Sequence, residues 1–466
     1  MRADATRAQP NLLHQAVWVV VCRIVGIVST LASNLLVARL LGPSGFGIYF
    51  VVTIVLALGS LFAMSGLSEV GLRFVSENLG LRRYQRVQAY LNTTLRWACF
   101  STMVGAILVV VALFLFRQIT GRAEFSIALV MLMGVGVVLL SWQQIAAQLL
   151  RGLNEVRAAS FFSGGQTGGP LSNVFFLIPV VAASMYSVSV SITQVVGLLI
   201  CSVCLTLPLA LIELSRARRF LGSTSEASVE SLRLTTTEKH EFANVSFSLL
   251  GIQTMAFVAS QSDVLIIGSA LLSPQDLGFY CAAKRGQLVA QMPVQMAMMT
   301  IQGSIPNLFV QGRIPELENR LRSTATLAAI PGVMALFLFT MFPADVLSFL
   351  FGNSYVGAAG LVLPLVVGLL ALIFFGNACE VLAITGHHRL VLLSNSISAV
   401  ILVVGGALGA YFAGSFGLAV ASSFVMIMQN ATLWWIAKAK LNIWTHLGPI
   451  YLRGTHRTSV AESSLS

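Results

Sequence analysis

Charged side chains set inside long apolar stretches are the residues of this chain best placed to do chemistry, because charge in a hydrocarbon setting is kept for function or for a partner. Arg23 lies about seven residues into the first apolar run, roughly 10 Å from its start at 1.5 Å per residue. Asp263 lies nine residues before the end of the seventh run, roughly 13 Å deep on the same measure. Lys284 and Arg285 sit at similar depth in the run that follows. Together these four side chains carry a charge of +2. A site of that sign suits a diphosphate headgroup, whose oxygens a guanidinium meets with two parallel hydrogen bonds. It suits a cationic drug badly, and no Asp or Glu occurs between Asn11 and Leu41 to receive one. The plainer readings are that Arg23 snorkels to the membrane surface and that Asp263 pairs with Lys284 or Arg285 for structure alone.

A second set of residues suits movement. Arg39 stands two residues before a turn, to gate there or to snorkel to the interface. Glu380 is the one carboxylate placed to couple a proton or cation. Gly164-Gly165-Gln166-Thr167-Gly168-Gly169-Pro170 is a poor continuous helix, so a kink or unwound turn is expected at Gly165, Gly168 and Pro170. Glu69, Arg73 and Glu77 fall at i, i+4 and i+8, the spacing of ordinary helix-surface pairs. Enzyme chemistry has no foothold. The six His lie near predicted helix ends without Cys or Glu at metal-ligand spacing, and Cys201-Ser-Val-Cys204 lies within an apolar run with no second pair. No GxxxxGK[ST] loop is present. No cofactor and no metal site are expected.

Composition says what must hold these residues. Of 466 residues 56% are apolar and only 10% charged, with mean hydropathy +0.85, where a soluble domain carries about a quarter charged residues. The expected fold is therefore an all-α polytopic membrane protein, each crossing an internally hydrogen-bonded helix of roughly 20 residues or more. The expected spans are 16–40, 46–67, 89–116, 125–150, 158–183 and 188–213, then 242–272, 277–302, 323–342, 355–383, 389–412 and 415–437. With the N-terminus in the cytoplasm, 22 of the 28 Lys and Arg fall on cytoplasmic segments and only Arg117 and Arg122 outside. The net charge of +11 is thus topological rather than a nucleic-acid footprint. The first run is too long for a signal peptide, contains Arg23 and lacks a cleavage site. The expected organisation is an N-lobe at 1–214, a cytoplasmic linker at 215–240, a C-lobe at 241–438 and a cytoplasmic tail at 439–466, polar and disordered after Trp444.

The halves look like copies. Leu40-Leu41-Gly42-Pro43-Ser44-Gly45-Phe46-Gly47-Ile48-Tyr49 returns, at an offset of 231, as Leu271-Leu272-Ser273-Pro274-Gln275-Asp276-Leu277-Gly278-Phe279-Tyr280. In each, Pro stops one helix and Gly lets the next begin close by. Six helices per copy is an even number, so both lobes face the same way, and a parallel pseudo-two-fold repeat places a site between them. The stretch Ala38-Arg39-Leu40-Leu41-Gly42-Pro43, with Phe46-Gly47-Ile48-Tyr49 and then Gly66-Leu67 and Arg73, resembles Wzx-type lipid-linked oligosaccharide flippases, of the multidrug, oligosaccharidyl-lipid and polysaccharide exporter superfamily. The resemblance implies a flippase that turns an undecaprenyl-diphosphate-linked repeat unit from the cytoplasmic to the periplasmic leaflet of the inner membrane. It implies a lipid-linked oligosaccharide and membrane lipid as partners, with a polysaccharide polymerase and a chain-length regulator as candidates, and a monomer. Two alternatives stay open. A drug antiporter or facilitator is one, although the facilitator GxxxDR pattern is missing after the second span. A membrane-embedded polymerase or ligase is the other, for which the short outer loops leave little room.

Overall fold

The computed structural model describes residues 12–120, 125–164, 167–186, 190–222, 234–302 and 305–448. These are helical, with no strand among them. In chain order the helices are α1 (Leu12–Met64), α2 (Leu67–Gly80), α3 (Tyr84–Thr120), α4 (Ile127–Gly152), α5 (Val156–Phe162), α6 (Pro170–Met185), α7 (Ile192–Gly222) and α8 (Thr236–Ser262). They continue with α9 (Ser269–Leu271), α10 (Pro274–Gln302), α11 (Ile305–Val310), α12 (Ile314–Met341), α13 (Pro343–Phe351), α14 (Ala359–Phe375), α15 (Ala378–Ile384) and α16 (His388–Leu441). Eight described stretches are long and apolar enough to cross a membrane.

Two of the eight are far longer than one crossing needs, and both break once. In α1 the break is Gly42, at φ 66° and ψ 179°, a conformation open to Gly, and Pro43 then begins the next helical run. In α16 it falls at Ala413 and Gly414. Gly409 and Gly417 would stand about 12 Å apart in a straight helix, yet a Cβ on either would meet the other's backbone oxygen within 2.5 Å. The two halves of α16 therefore fold back on each other.

The helices outrun the apolar runs at the end of the bundle where α3 begins and α7 stops, and that end carries most of the basic residues. α3 starts at Tyr84, α7 continues to Gly222 and α8 opens at Thr236, so residues 215–222 and 236–240 of the expected linker are helix. Local polar contacts carry these extra turns. Arg216 donates to Glu213 (2.6 Å), and Thr235 caps α8 through a reciprocal bond with Glu238. Arg86 of α3 pairs with the same Glu238 (2.8 Å). Around that pair Phe242 of α8 is wholly buried against Phe74, Tyr90 and Trp97, at ring separations of 5.5–5.9 Å.

The expected tail also differs from the structure. Trp444 to Gly448 pack across α12, α14 and α16. Trp444 N–H donates to Glu318, Thr445 donates to the Phe375 carbonyl (2.7 Å), and Gly448 N–H donates to Thr326. Aromatic residues at the helix ends give this segment something to pack on, so it is ordered where composition alone reads as disorder. Residues 449–466 lie outside the described range.

Candidate functional site

Two helices frame the site. α1 and α10 pack along each other, and their backbones touch at the repeated motif. A Cβ on Gly47 would meet the Pro274 oxygen at 2.5 Å, and a Cβ on Gly278 would meet the Pro43 oxygen at 1.9 Å. Gly47 matches Gly278 and Pro43 matches Pro274 at the offset of 231, so each motif presses its Gly on the other's Pro. Next to this contact Phe46, Phe351 and Tyr355 form a buried aromatic plug, with ring separations of 5.6–6.3 Å. The Tyr355 hydroxyl donates to the Ala38 carbonyl at 2.9 Å. Arg39 reaches from α1 to the last turn of α13 and donates to the Phe349 and Leu350 carbonyls. A cation there neutralises the negative end of that helix.

Toward the basic end α1 and α10 part around a cavity of about 500 Å³, lined also by α4, α5 and the start of α6. Three guanidiniums line it: Arg23 of α1, Arg151 of α4 and Arg285 of α10. No carboxylate is among its lining residues, which otherwise include the polar side chains Thr30, Asn34, Gln144, Gln148, Thr167, Asn173 and Gln295. Arg151 is oriented by Ser163, to which it donates at 2.8 Å, and by Gln148 at 3.2 Å; Gln148 in turn donates to Glu69 at 3.1 Å. The Arg285 guanidinium carbon stands 4.5 Å from the Phe50 ring centroid, a cation–π contact that sets it in the wall beneath the plug.

The broken helix supplies the opposite wall. The chain leaves helical geometry after Phe162 and re-enters it at Pro170, the first residue of α6, where a missing N–H costs nothing. Gly168 has φ 103°, and Gly165 lies outside the described residues. The opened turn is tied down by side chains. Gln144 donates to the Gly164 carbonyl (2.8 Å), Gln143 donates to Ser172 (2.7 Å), and Asn173 donates across to Thr30 of α1 (2.8 Å).

The four charges singled out from sequence divide into two groups. Arg23 and Arg285 reach the cavity. Lys284 turns away from it, one residue or about 100° round the helix from Arg285, and donates to Asp263 at 2.6 Å. Asp263 is 3% exposed and opens a π-helical turn, Asp263–Gly268. Its carboxylate also accepts from the Tyr280 hydroxyl (2.6 Å) and from the Val264 N–H (2.9 Å). Glu380 sits in the first turn of α15, at the basic end and outside the cavity lining. Arg151 is one of the 22 basic residues that the charge count places on cytoplasmic segments, yet it lines the cavity. The signal for its role is a polar stripe, Gln144, Gln148 and Arg151 at i, i+4 and i+7, on an otherwise apolar helix.

The fold has solved counterparts. An inward-facing multidrug resistance MATE family transporter of the MOP superfamily superposes with TM-score 0.69 at 11% identity, over 92% of this chain and 98% of that one. A structure of the lipid II flippase MurJ, in an inward closed conformation, gives 0.63 at 13% identity, over 91% and 87%. A MOP superfamily transporter from Pyrococcus furiosus gives 0.60 at 12%, over 92% and 95%. At such identities the likeness is one of fold. No curated protein is similar enough in sequence to count as a match. The family described as polysaccharide biosynthesis protein matches residues 13–309, well over half of the chain. With the fold of a multi-pass membrane transporter and that match across both framing helices, the chain belongs to the polysaccharide biosynthesis protein family.

Proposed function

We propose that this protein is a flippase that moves an undecaprenyl-diphosphate-linked oligosaccharide repeat unit from the cytoplasmic to the periplasmic leaflet of the inner membrane, for surface polysaccharide biosynthesis. One observation carries the reading: a cavity between α1 and α10 with Arg23, Arg151 and Arg285 on its walls and no carboxylate among its lining residues. Guanidiniums bind phosphate oxygens through charge-assisted, two-pronged hydrogen bonds, and the amide and hydroxyl groups beside them suit sugar hydroxyls. A cation exporter needs the opposite sign. The family and the fold agree with this reading, for one structural neighbour is named as a flippase of lipid II.

Topology follows from the same proposal. The basic end faces the cytoplasm, with both termini there, an orientation supported by the distribution of Lys and Arg. The breaks in α1 and α16 then make two crossings of each, which turns the eight long stretches into ten; with α6 and α10 as the remaining two, the chain crosses twelve times in two six-helix lobes, the N-lobe to 214 and the C-lobe from 241. The reciprocal Gly–Pro contact supports this, because a self-complementary contact between equivalent residues is what a two-fold relation between lobes produces. The cavity is then open toward the cytoplasmic side and sealed toward the periplasm by the plug. Alternating access moves the seal from one side to the other. Glu380 remains a candidate for coupling to a proton or cation.

Deleting the gene and analysing extracted lipid-linked sugars by mass spectrometry tests the proposal. The expected result is accumulation of the diphosphate-linked repeat unit with loss of the surface polymer. Normal lipid-linked intermediates and an intact polymer would overturn it in favour of a drug or solute exporter.

A further inference from the structure

A second depression lies on the far side of α1 from the arginine cavity. Its volume is about 1050 Å³, and it runs between α1, α3 and α8 with walls such as Val55, Phe62, Phe100, Val104 and Phe247. Val51 and Val55 of α1 face it while Thr53 faces the cavity, so the helix separates the two. Phe100 is 75% exposed and Phe247 67% exposed, which water would oppose and a bilayer accepts. The apolar run of α3 beside it, 97–116, is about 30 Å long at 1.5 Å per residue, the thickness of a hydrocarbon core.

The depression is charged at one end only. Arg96 and Trp97 lie at its basic end, with Trp97 held edge-on to Phe242 at 5.5 Å. Among the described residues no carboxylate pairs with Arg96. Its other end is closed by apolar residues, including Phe116 and Phe125. A cation and an indole at the interface above a single apolar slot match one phosphate headgroup above its chains.

We infer that this groove holds a resident anionic phospholipid of the inner leaflet, its phosphate on Arg96 and its chains between α3 and α8. The lipid fills the seam between elements that belong to different halves of the chain. It is not the cargo, whose headgroup site is on the other face of α1.

The test is a photo-crosslink that does not depend on transport. The full-length protein is reconstituted in phosphatidylcholine vesicles containing phosphatidylglycerol with a diazirine in one acyl chain, and labelled peptides are identified by mass spectrometry. Label is expected on the α3 segment bearing Phe100 and Val104. It falls about tenfold in Arg96→Gln, the change for one lost charge-assisted hydrogen bond, and persists in Arg96→Lys. Val104→Trp fills the slot and removes the label while leaving Arg96 in place. Excess unlabelled phosphatidylglycerol competes better than undecaprenyl phosphate. Equal label in all variants would overturn the inference. So would stronger competition by undecaprenyl phosphate, which would assign the groove to a cargo tail.

Discussion

The Pro43 carbonyl lies so close to Gly278 that a methyl group on that glycine would sit 1.9 Å from the oxygen, inside any permitted contact. The equivalent pair, Gly47 and Pro274, is nearly as tight at 2.5 Å. Both partners at each contact are backbone, so neither can yield by turning a side chain.

Gly278→Ala and Gly47→Ala are therefore expected to force α1 and α10 apart at the sealed end. Cys281 is wholly buried just beyond the contact and serves as the reporter. In a background with the other five cysteines replaced, labelling of Cys281 by a membrane-impermeant maleimide should rise several-fold from the side opposite the basic end. Unchanged labelling with normal protein levels would mean that the contact does not hold the seal.

The cavity arginines should behave as a set distinct from their neighbour. Arg23→Gln, Arg151→Gln and Arg285→Gln are each expected to lower export about tenfold to a hundredfold, from loss of a charged hydrogen bond of ~1.5–3 kcal/mol. Arg→Lys should restore little, since a single ammonium cannot grip two oxygens at once. Lys284→Gln should leave export nearer to wild type per folded molecule. Pulse-labelled lipid-linked sugars at each membrane face provide the measurement. Full export in all three Gln variants would remove the cavity from the pathway.

Asp263 and Lys284 should declare themselves in stability. Lys284 keeps 27% of its side chain exposed while Asp263 keeps 4%, so removing one partner should cost about 2 kcal/mol, between the exposed and the buried extremes. Asp263→Leu and Lys284→Met should each lower the thermal midpoint in detergent. The double variant should recover part of the loss, because no lone charge is then left in the apolar interior. Additive losses would show that the pair is not coupled.

His446 gives a pH dependence whose sign can be worked out. Its burial and the Arg322 guanidinium hold its imidazole below the ordinary value, with Glu318 opposing weakly. Trp434 donates to its Nδ1 at 3.1 Å, which requires that nitrogen to be unprotonated. The unfolded chain therefore takes up the proton first as pH falls. The stability that this neutral ring provides is complete above about pH 6.5 and is lost as pH drops below it, levelling off below the folded value. Thermal midpoints across that range should fall less steeply for His446→Gln than for wild type.

Much of this was legible in the residues. A Gly-Pro pair between apolar runs marks the break in α1, and two Gly pairs ahead of Pro170 mark the opened turn, since both rest on local backbone chemistry. The cationic character of the cavity was legible from Arg23 and Arg285. The part played by Arg151 was not, because a count of charges by segment treats every basic residue near a helix end as a topological marker. The parting of Lys284 from Arg285 was hidden for another reason: adjacent residues differ by a rotation, and which rotation meets the cavity depends on the neighbour that α10 packs against. The fixing of Trp444–Gly448 likewise depends on contacts across more than a hundred residues, which no local pattern carries.

Phe242 bears on how the protein is made. The aromatic cluster of Phe74, Tyr90 and Trp97 is completed by a ring from α8, and Arg86 finds its carboxylate on the same helix. A ribosome delivers the first half well before α8 emerges. Until then the nascent chain carries an unfilled socket at the membrane face, and quality control has time to see it. A gene split ahead of α8 would yield a first fragment that needs the second for its own core, so co-expression, rather than either piece alone, should restore the amount of each.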